Sequence, residues 1–198
     1  MKKILIATRN RDKFQIVKRL FETSIFEEYQ FDNLNDLNIN VNDKVESGSL
    51  ESRSFEKAAN SYVNIQENEY EYIVGIDDGI KIKGIIYEDV KKLVNLILNH
   101  GLLSDGEIIY MVRAYTFFNQ KGESYTITID IPYRYQRLNY ELTVEENTYP
   151  LNYVLAPINS DKTIAEQDFE ESNQYFLSYS YDKFHEVKSF FEASKKKK

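Results

Sequence analysis

Residues 3–21 read KILIATRNRDKFQIVKRLF, and the change of pattern within them decides the fold. Residues 3–8 form a short apolar run, which is typical of a buried β-strand. Asp12 and Gln15 make a capping-box start for a helix, because a Gln at this spacing can bond back to the capping residue. The apolar residues that follow recur at helical spacing: Phe14, Val17, Leu20 and Phe21. We therefore predict a strand, a polar turn and a helix.

The polar turn between this strand and this helix is a natural anion site. A helix N-terminus has free backbone N–H groups and the positive end of the helix dipole. Asn10 adds a side-chain donor, and Arg9, Arg11 and Lys13 add positive charge. The alternative is a capped and solvated helix start, and the local sequence leaves both interpretations open.

The rest of the chain alternates helix and strand patterns and then becomes mainly β. We predict an irregular strand and loop at residues 30–41, strands at 72–76, 108–118, 124–133 and 149–157, and helices at 50–66, 88–100, 163–172 and 182–193. The helix at 50–66 has an apolar face made of Phe55, Ala58, Tyr62 and Ile65. No linker or repeat divides the sequence. We predict a single α/β domain over residues 1–198, a mixed β-sheet wrapped by helices, with the lysines at 195–198 as a frayed tail.

The composition excludes several kinds of site and partner. The chain has no cysteine and only two histidines, so thiolate sites, disulfides and a His-rich metal centre are excluded. A bound metal would need oxygen ligands, which points to Mg²⁺, Mn²⁺ or Ca²⁺. The net charge of −7 disfavours long nucleic acids but permits a small nucleotide. No apolar stretch approaches a membrane span or a secretory signal, and we predict a cytoplasmic protein without membrane contact.

Two adjacent carboxylates, Asp77 and Asp78, follow the strand predicted at residues 72–76 and precede Gly79. Like charges side by side at a strand end repel each other, and a divalent cation between them and a phosphate makes the pair tolerable. The alternative is a solvated Asp-Asp-Gly turn. A third polar element is Glu46-Ser47-Gly48, followed by the helix at 50–66. Arg53 and Lys57 are four residues apart in that helix and share a face directed away from Phe55, which by itself is more typical of a solvated surface.

In order and spacing, these three elements resemble the inosine triphosphate pyrophosphatase family. Thr8-x-Asn10-x-x-Lys13 is similar to the family's opening Thr-x-Asn-x-x-Lys signature. Glu46 and Lys57-Ala58 are similar to its second element, and Asp77-Asp78 to its acidic pair. Further along, Thr163-x-Ala165-Glu166 is similar to its Thr-x-Ala-Glu. The resemblance implies a two-lobed α/β fold with a central cleft, related to the anticodon-binding and Maf-like superfamily.

The resemblance also implies an activity and a set of site residues. Family members hydrolyse purine nucleoside triphosphates such as (d)ITP and XTP to the monophosphate and pyrophosphate, and they are homodimers. Mg²⁺ is the implied cofactor, with Mn²⁺ as the alternative, and the acidic pair also activates the attacking water. The implied phosphate-binding residues are Thr8, Arg9, Asn10, Lys13, Arg53 and Lys57, and the implied metal ligands are Glu46, Asp77 and Asp78.

The base-reading half departs from the family pattern. Residues 83–87 lack the proline of the family's Gly-Gly-x-Pro-Gly loop over the base. In the phosphate and metal half, Ile16 and Arg53 stand where the family has Glu and Asn. Ser178-Tyr179-Ser180 stands in place of Ser-His-Arg, although His185 lies one helical turn past this region. The residues left to contact the base are Tyr149, Asn152, Tyr153, Ser178 and Tyr179. We expect an altered base preference, with a catalytically weak nucleotide-binding protein as the alternative function.

Overall fold

The computed structural model describes residues 2–37, 41, 47–65, 69–87, 89–137 and 150–196. The strands are β1 (Lys3–Ile6), β2 (Gln30–Asn33), β3 (Tyr72–Ile82), β4 (Ile85–Tyr87), β5 (Ile108–Asn119), β6 (Ser124–Tyr135) and β7 (Leu155–Pro157). The α-helices are α1 (Arg11–Glu22), α2 (Leu50–Asn64), α3 (Val90–His100) and α4 (Phe169–Lys196). Short 3-10 helices cover Pro150–Tyr153 and Ile164–Glu166. Among the described residues, no helix combines the length and apolar character that a membrane crossing requires.

The described strands form one mixed sheet in the order β2-β1-β3-β5-β6-β7, with β4 paired to β3. β1 pairs in parallel with β2 and with β3. β4 runs antiparallel to β3, and β7 antiparallel to β6. The opening strand β1 therefore belongs to the parallel part of the sheet. Parallel neighbours need a crossover connection, which is usually a helix. The predicted mixed α/β fold is confirmed.

The chain divides into two compact units, and β3, β5, β6 and α4 contribute residues to both. The first unit contains Met1–Asp78, Arg113–Ile129 and Tyr179–Lys198. On one face of its sheet, α2 covers a cluster that includes Leu5, Ala58 and Ile73. An aromatic cluster lies around Phe21, which contacts Phe117 and Tyr115 and meets Phe184 of α4 edge-on at 5.2 Å between ring centroids.

The second unit contains Gly79–Val112 and Asp130–Ser178. Lys83 and Gly84 both have positive φ at the tight turn between β3 and β4, as hairpin turns of this length require. α3 is followed by Gly101, whose left-handed conformation is typical of the residue that ends a helix. The Thr163 backbone N–H donates to the Glu166 carboxylate at 2.7 Å, which fixes the start of the second 3-10 helix.

Several sequence predictions were wrong in detail. β3 continues through Asp77 and Asp78 to Ile82 instead of ending at residue 76. The two helices predicted at 163–172 and 182–193 are one 3-10 turn and one continuous helix, α4. The apolar face predicted for α2 is confirmed at Ala58, Tyr62 and Ile65, which lie in or pack against the buried cluster. It is wrong at Phe55, which is 43% exposed, while Arg53 is buried. The Lys195 and Lys196 backbone belongs to α4, and residues 197–198 lie outside the described residues.

Candidate functional site

The predicted phosphate turn joins β1 to α1, and its own side chains determine its shape. Asn10 caps α1, and its side-chain oxygen accepts a hydrogen bond from the Lys13 backbone N–H at 2.9 Å. The Thr8 hydroxyl accepts from the Asn10 backbone N–H at 3.1 Å. The predicted capping role of Asp12 is therefore wrong, since Asp12 lies in the first turn of the helix. There its negative charge is favourable against the helix dipole.

Arg9 contacts the segment that follows β2. Its guanidinium donates to the Val41 carbonyl at 2.8 Å, and its own carbonyl accepts from the Asn35 side chain at 3.0 Å. These bonds tie the middle of the turn to residues far along the chain. The predicted role of Arg9 toward phosphate remains a prediction.

The carboxylate of Asp78 lies between two cations. Lys13 Nζ is 2.7 Å from Asp78 Oδ2, and the Asp78 side chain is 28% exposed. Arg113 of β5 donates through Nε to Asp78 Oδ1, and its side chain is only 11% exposed. Sequence analysis did not identify Arg113. Its signal was a lone Arg inside an apolar strand, a position that usually requires a buried counter-charge.

This arrangement shifts the pKa values of Asp78 and of the neighbouring Tyr115. Burial would raise the pKa of Asp78, but the positive charges of Arg113 and Lys13, together with their hydrogen bonds, hold it well below its ordinary value. Burial likewise raises the pKa of Tyr115, whose ring stands beside Arg113, to about 12. Asp78 is therefore an ionised carboxylate at neutral pH.

Asp77 is held separately by two cations of α2. Lys57 Nζ lies 2.5 Å from Asp77 Oδ1, and Arg53 Nε lies 2.5 Å from Asp77 Oδ2. The Arg53 and Asp77 side chains are 8% and 11% exposed. The alternative of a solvated face for Arg53 and Lys57 is therefore wrong, because their charges point inward to a buried carboxylate. Their predicted role toward phosphate remains a prediction.

Gly75 lets α2 come close enough for these contacts. A Cβ atom at Gly75 would lie 1.9 Å from the Ser54 carbonyl and 2.7 Å from the Ala58 backbone nitrogen. Only a residue without a side chain fits such an approach. Asp77 is two residues further along β3 and faces the same helix, since alternate residues of a strand share a face.

The two carboxylates do not converge on one ion. Consecutive side chains of a strand point to opposite faces, and β3 is regular through both residues. Asp77 meets α2 on one face, while Asp78 meets Lys13 and Arg113 on the other. Each carboxylate oxygen already contacts a Lys or Arg nitrogen. Among the described residues, no group of three or more His, Cys, Asp or Glu is arranged to hold a metal. Asp77 and Asp78 thus do not fit a shared Mg²⁺ site.

The remaining predicted residues lie elsewhere or outside the described part of the chain. Glu46 and Tyr149 fall outside the described residues. Asn152 and Tyr153 belong to the 3-10 helix of the second unit and are half-buried. Ser178 and Tyr179 lie within α4, not at the start of a helix. The Ser178 hydroxyl donates to the Tyr175 carbonyl one turn earlier at 2.7 Å. Their role toward a base stays a prediction.

Sequence comparison does not identify relatives of the chain. No protein-family model matches it, and no curated protein matches it either. Structural comparison does find similar proteins, and it does so over nearly the whole chain.

Three solved structures share the arrangement. The nucleoside-triphosphatase / dITP/XTP pyrophosphatase of Mycobacterium abscessus is 19% identical, with a TM-score of 0.58 over 93% of this chain and 97% of that one. The Ham1 protein of Staphylococcus aureus is 16% identical, with a TM-score of 0.63 over 98% and 100%. A HAM1 protein of Coxiella burnetii is 15% identical, with a TM-score of 0.63 over 96% and 99%. The chain therefore has the fold of the dITP/XTP pyrophosphatase and Ham1 structures.

Proposed function

We propose that this chain is a nucleoside triphosphate pyrophosphohydrolase that acts on purine nucleoside triphosphates. The observation that carries the proposal is the ionised Asp78 carboxylate beside Lys13 and the phosphate turn. The fold supports it, because a structure with this fold is a dITP/XTP pyrophosphatase. In the proposed reaction, water attacks the α-phosphorus, the bond to the β-phosphate oxygen breaks, and the products are a nucleoside monophosphate and pyrophosphate.

The first unit supplies the phosphate-binding groups. We assign the triphosphate to the α1 N-terminus and to Lys13, with the Asn10 side-chain nitrogen as a further donor. Thr8 and Asn10 also shape the turn through the backbone hydrogen bonds that they accept. Arg9, Arg53 and Lys57 add positive charge. Four cations face two carboxylates in the described cluster, and this excess of positive charge favours a polyanionic ligand.

Asp78 is the residue that we assign to the attacking water. Its carboxylate is ionised and partly accessible, as an acceptor for a water proton must be. Phosphoryl chemistry depends mainly on positioning and on electrostatic stabilisation of the transferred group. Asp77 is more enclosed, and it pairs with Arg53 and Lys57 of α2. We therefore propose a structural role for Asp77, in which it holds α2 against the sheet.

Magnesium is a separate part of the proposal. The resemblance implies Mg²⁺ as the cofactor, with Mn²⁺ as the alternative. The proposed reaction does not require an ion bound between Asp77 and Asp78. Nucleoside triphosphates carry Mg²⁺ in solution, so we propose that the ion arrives with the substrate. Turnover measured with Mg²⁺, with Mn²⁺ and in excess chelator tests this. Undiminished turnover in chelator would contradict the proposed metal dependence.

The second candidate function is nucleotide binding without efficient hydrolysis. The observation that favours it is that every oxygen of both carboxylates already contacts a cation. Such a protein would sequester or sense a nucleotide, or act through a partner. A panel of ATP, GTP, ITP and XTP separates the two functions when pyrophosphate release and nucleotide affinity are both measured. Affinity without pyrophosphate release would favour the second function.

The proposed partners are small. We propose a nucleoside triphosphate as the ligand and, from the resemblance, a second copy of the chain as the protein partner. Sedimentation of the purified protein at several concentrations tests the homodimer. A single species with the mass of one chain at all concentrations would contradict it.

A further inference from the structure

Lys13 and Arg113 hold an anion in this structure, and that anion is the chain's own Asp78 carboxylate. Lys13 Nζ lies 2.7 Å from one carboxylate oxygen, and Arg113 Nε donates to the other. Lysine and arginine recognise phosphate oxygens and carboxylate oxygens through the same charge-assisted hydrogen bonds. The cation pair can therefore accept either anion.

This cation pair also adjoins the turn proposed to bind phosphate. Lys13 belongs to the first turn of α1, and its backbone N–H donates to the capping residue Asn10. A phosphate placed at this helix N-terminus would lie within reach of the Lys13 side chain. Asp78 thus holds one of the cations that a ligand there would need.

We propose that Asp78 is an internal competitor, and that a polyphosphate anion binds by displacing its carboxylate from Lys13 and Arg113. The inference rests on the proposed function and deepens it, because it adds Arg113 to the residues that contact the ligand. Displacement leaves the carboxylate free beside the bound phosphate, where the proposed function needs it to accept a water proton. Substrate binding would thereby release the group that acts on water.

The exchange belongs to Asp78 rather than to Asp77. The Asp78 side chain is 28% exposed, whereas that of Asp77 is 11% exposed and is enclosed by two cations of α2. The carboxylate of Asp78 is thus the more accessible of the two to an incoming anion.

Calorimetric titration with inorganic pyrophosphate in chelator-containing buffer tests the proposal without any metal. The proteins are the wild type, Asp78→Asn and, as a matched control, Asp130→Asn. Asp130 pairs with Lys81 in the second unit, so its substitution makes the same charge change elsewhere. Because Asp78→Asn removes a negative charge from the ligand position, we expect it to bind pyrophosphate at least about tenfold more tightly than the wild type. Asp130→Asn should bind as the wild type does.

A second pair of variants identifies the cation. In the Asp78→Asn background, Arg113→Met should weaken pyrophosphate binding by about tenfold, and Arg113→Lys should restore part of it. Unchanged or weaker binding by Asp78→Asn would overturn the proposal. Thermal melts establish that each variant is folded, and Asp78→Ser replaces Asp78→Asn if that variant is not.

The outcomes also separate this inference from the proposed function. Tighter binding by Asp78→Asn, with no hydrolysis of any nucleotide by the wild type, would contradict the proposed function alone. Hydrolysis by the wild type without tighter binding by Asp78→Asn would contradict the competition alone.

Discussion

Asp77 and Asp78 are neighbours in sequence, but they contact different parts of the molecule. The alternation of β3 sends one carboxylate to α2 and the other to Lys13 and Arg113. Their burial and accessibility differ accordingly, and so do the roles we assign to them. A pair that resembles a single acidic motif thus separates into a structural residue and a proposed functional one.

The first prediction at this scale concerns Asp77. Asp77→Asn leaves Arg53 buried without its counter-charge, and removing one partner of a buried ion pair is costly. We expect a loss of about 3 kcal/mol in the free energy of unfolding. Urea denaturation checks this. The control is Asp161→Asn, because Asp161 pairs with Arg134 at 2.8 Å but its side chain is 99% exposed, and it should change stability by less than about 1 kcal/mol. Equal losses in the two variants would contradict the structural role of Asp77.

The second prediction concerns the phosphate turn. Lys13→Ala should weaken the binding of ATP, GTP, ITP and XTP by a similar factor, since the turn contacts the phosphates that all four share. The matched control is Lys18→Ala in the same helix, where Lys18 lies 3.7 Å from Glu22 and away from the turn. Equilibrium binding of each nucleotide provides the comparison. A loss confined to one base would mean that this turn reads the base.

Among the elements, α2 is the one whose position the site depends on. Arg53 and Lys57 reach Asp77 only because Gly75 allows the helix backbone to lie against β3. Beneath the helix, the Ser54 hydroxyl contacts that of Thr116 at 2.8 Å, and Thr116 contacts Thr126 at the same distance. Small and hydroxyl-bearing residues, rather than large apolar ones, form this part of the contact.

The third prediction follows from that contact. Gly75→Ala should lower the free energy of unfolding by about 3 kcal/mol or more, because the added methyl group overlaps the backbone of α2. It should also weaken nucleotide binding, since Arg53 and Lys57 move with the helix. Denaturant unfolding and nucleotide titration provide the two readings. Adding Ala58→Gly should not rescue the variant, because the nearest atom is the Ser54 carbonyl. Wild-type stability in Gly75→Ala would contradict the account.

Sequence reasoning succeeded for helices and strands whose apolar residues recur at one regular spacing. The apolar face of α1 is buried as predicted, at Phe14, Val17, Leu20 and Phe21, and β5 and β6 lie close to the predicted bounds. It failed for the charged side chains of α2. Hydropathy assigns Arg53 and Lys57 to solvent, because it cannot detect a counter-charge on a distant strand. Sequence reasoning also predicted a break between residues 172 and 182, a stretch that includes Ser178 and Tyr179. In the structure, α4 continues through both residues. Arg113 was missed because its partner, Asp78, is 35 residues away in the sequence.

For the molecule as a whole, a similar fold occurs in proteins of very different sequence. Solved structures at 15–19% identity share the arrangement over at least 93% of this chain. The mixed sheet could be predicted because it follows from the strand and helix patterns of the sequence. In the proposed function, base preference would depend instead on a few side chains, and the residues predicted to contact the base differ from the pattern of the family that the sequence resembles.

The fourth prediction therefore concerns base preference. Tyr153 and Tyr179 can stack on any base, and Asn152 offers one amide, whereas the family pattern has the His and Arg of its Ser-His-Arg element. We expect ITP and XTP not to be preferred over ATP or GTP by a large margin. Relative rates at matched Mg²⁺, or relative affinities where turnover is absent, check this. A strong and exclusive preference for ITP and XTP would contradict the prediction and mean that other residues form the base pocket.

The proposed hydrolysis, with Asp78 acting on the attacking water, can be tested in one measurement. Pyrophosphate release is measured side by side for the wild type and Asp78→Asn on the four nucleotides with Mg²⁺. Asp78→Asn should remain folded, since the hydrogen bonds that it weakens contribute about 2–3 kcal/mol and domains are typically stable by about 5–15 kcal/mol. The account predicts that the wild type releases pyrophosphate and monophosphate in equal amounts, and that the folded variant releases neither. Full activity in the variant, or no release by the wild type from any nucleotide, would contradict it.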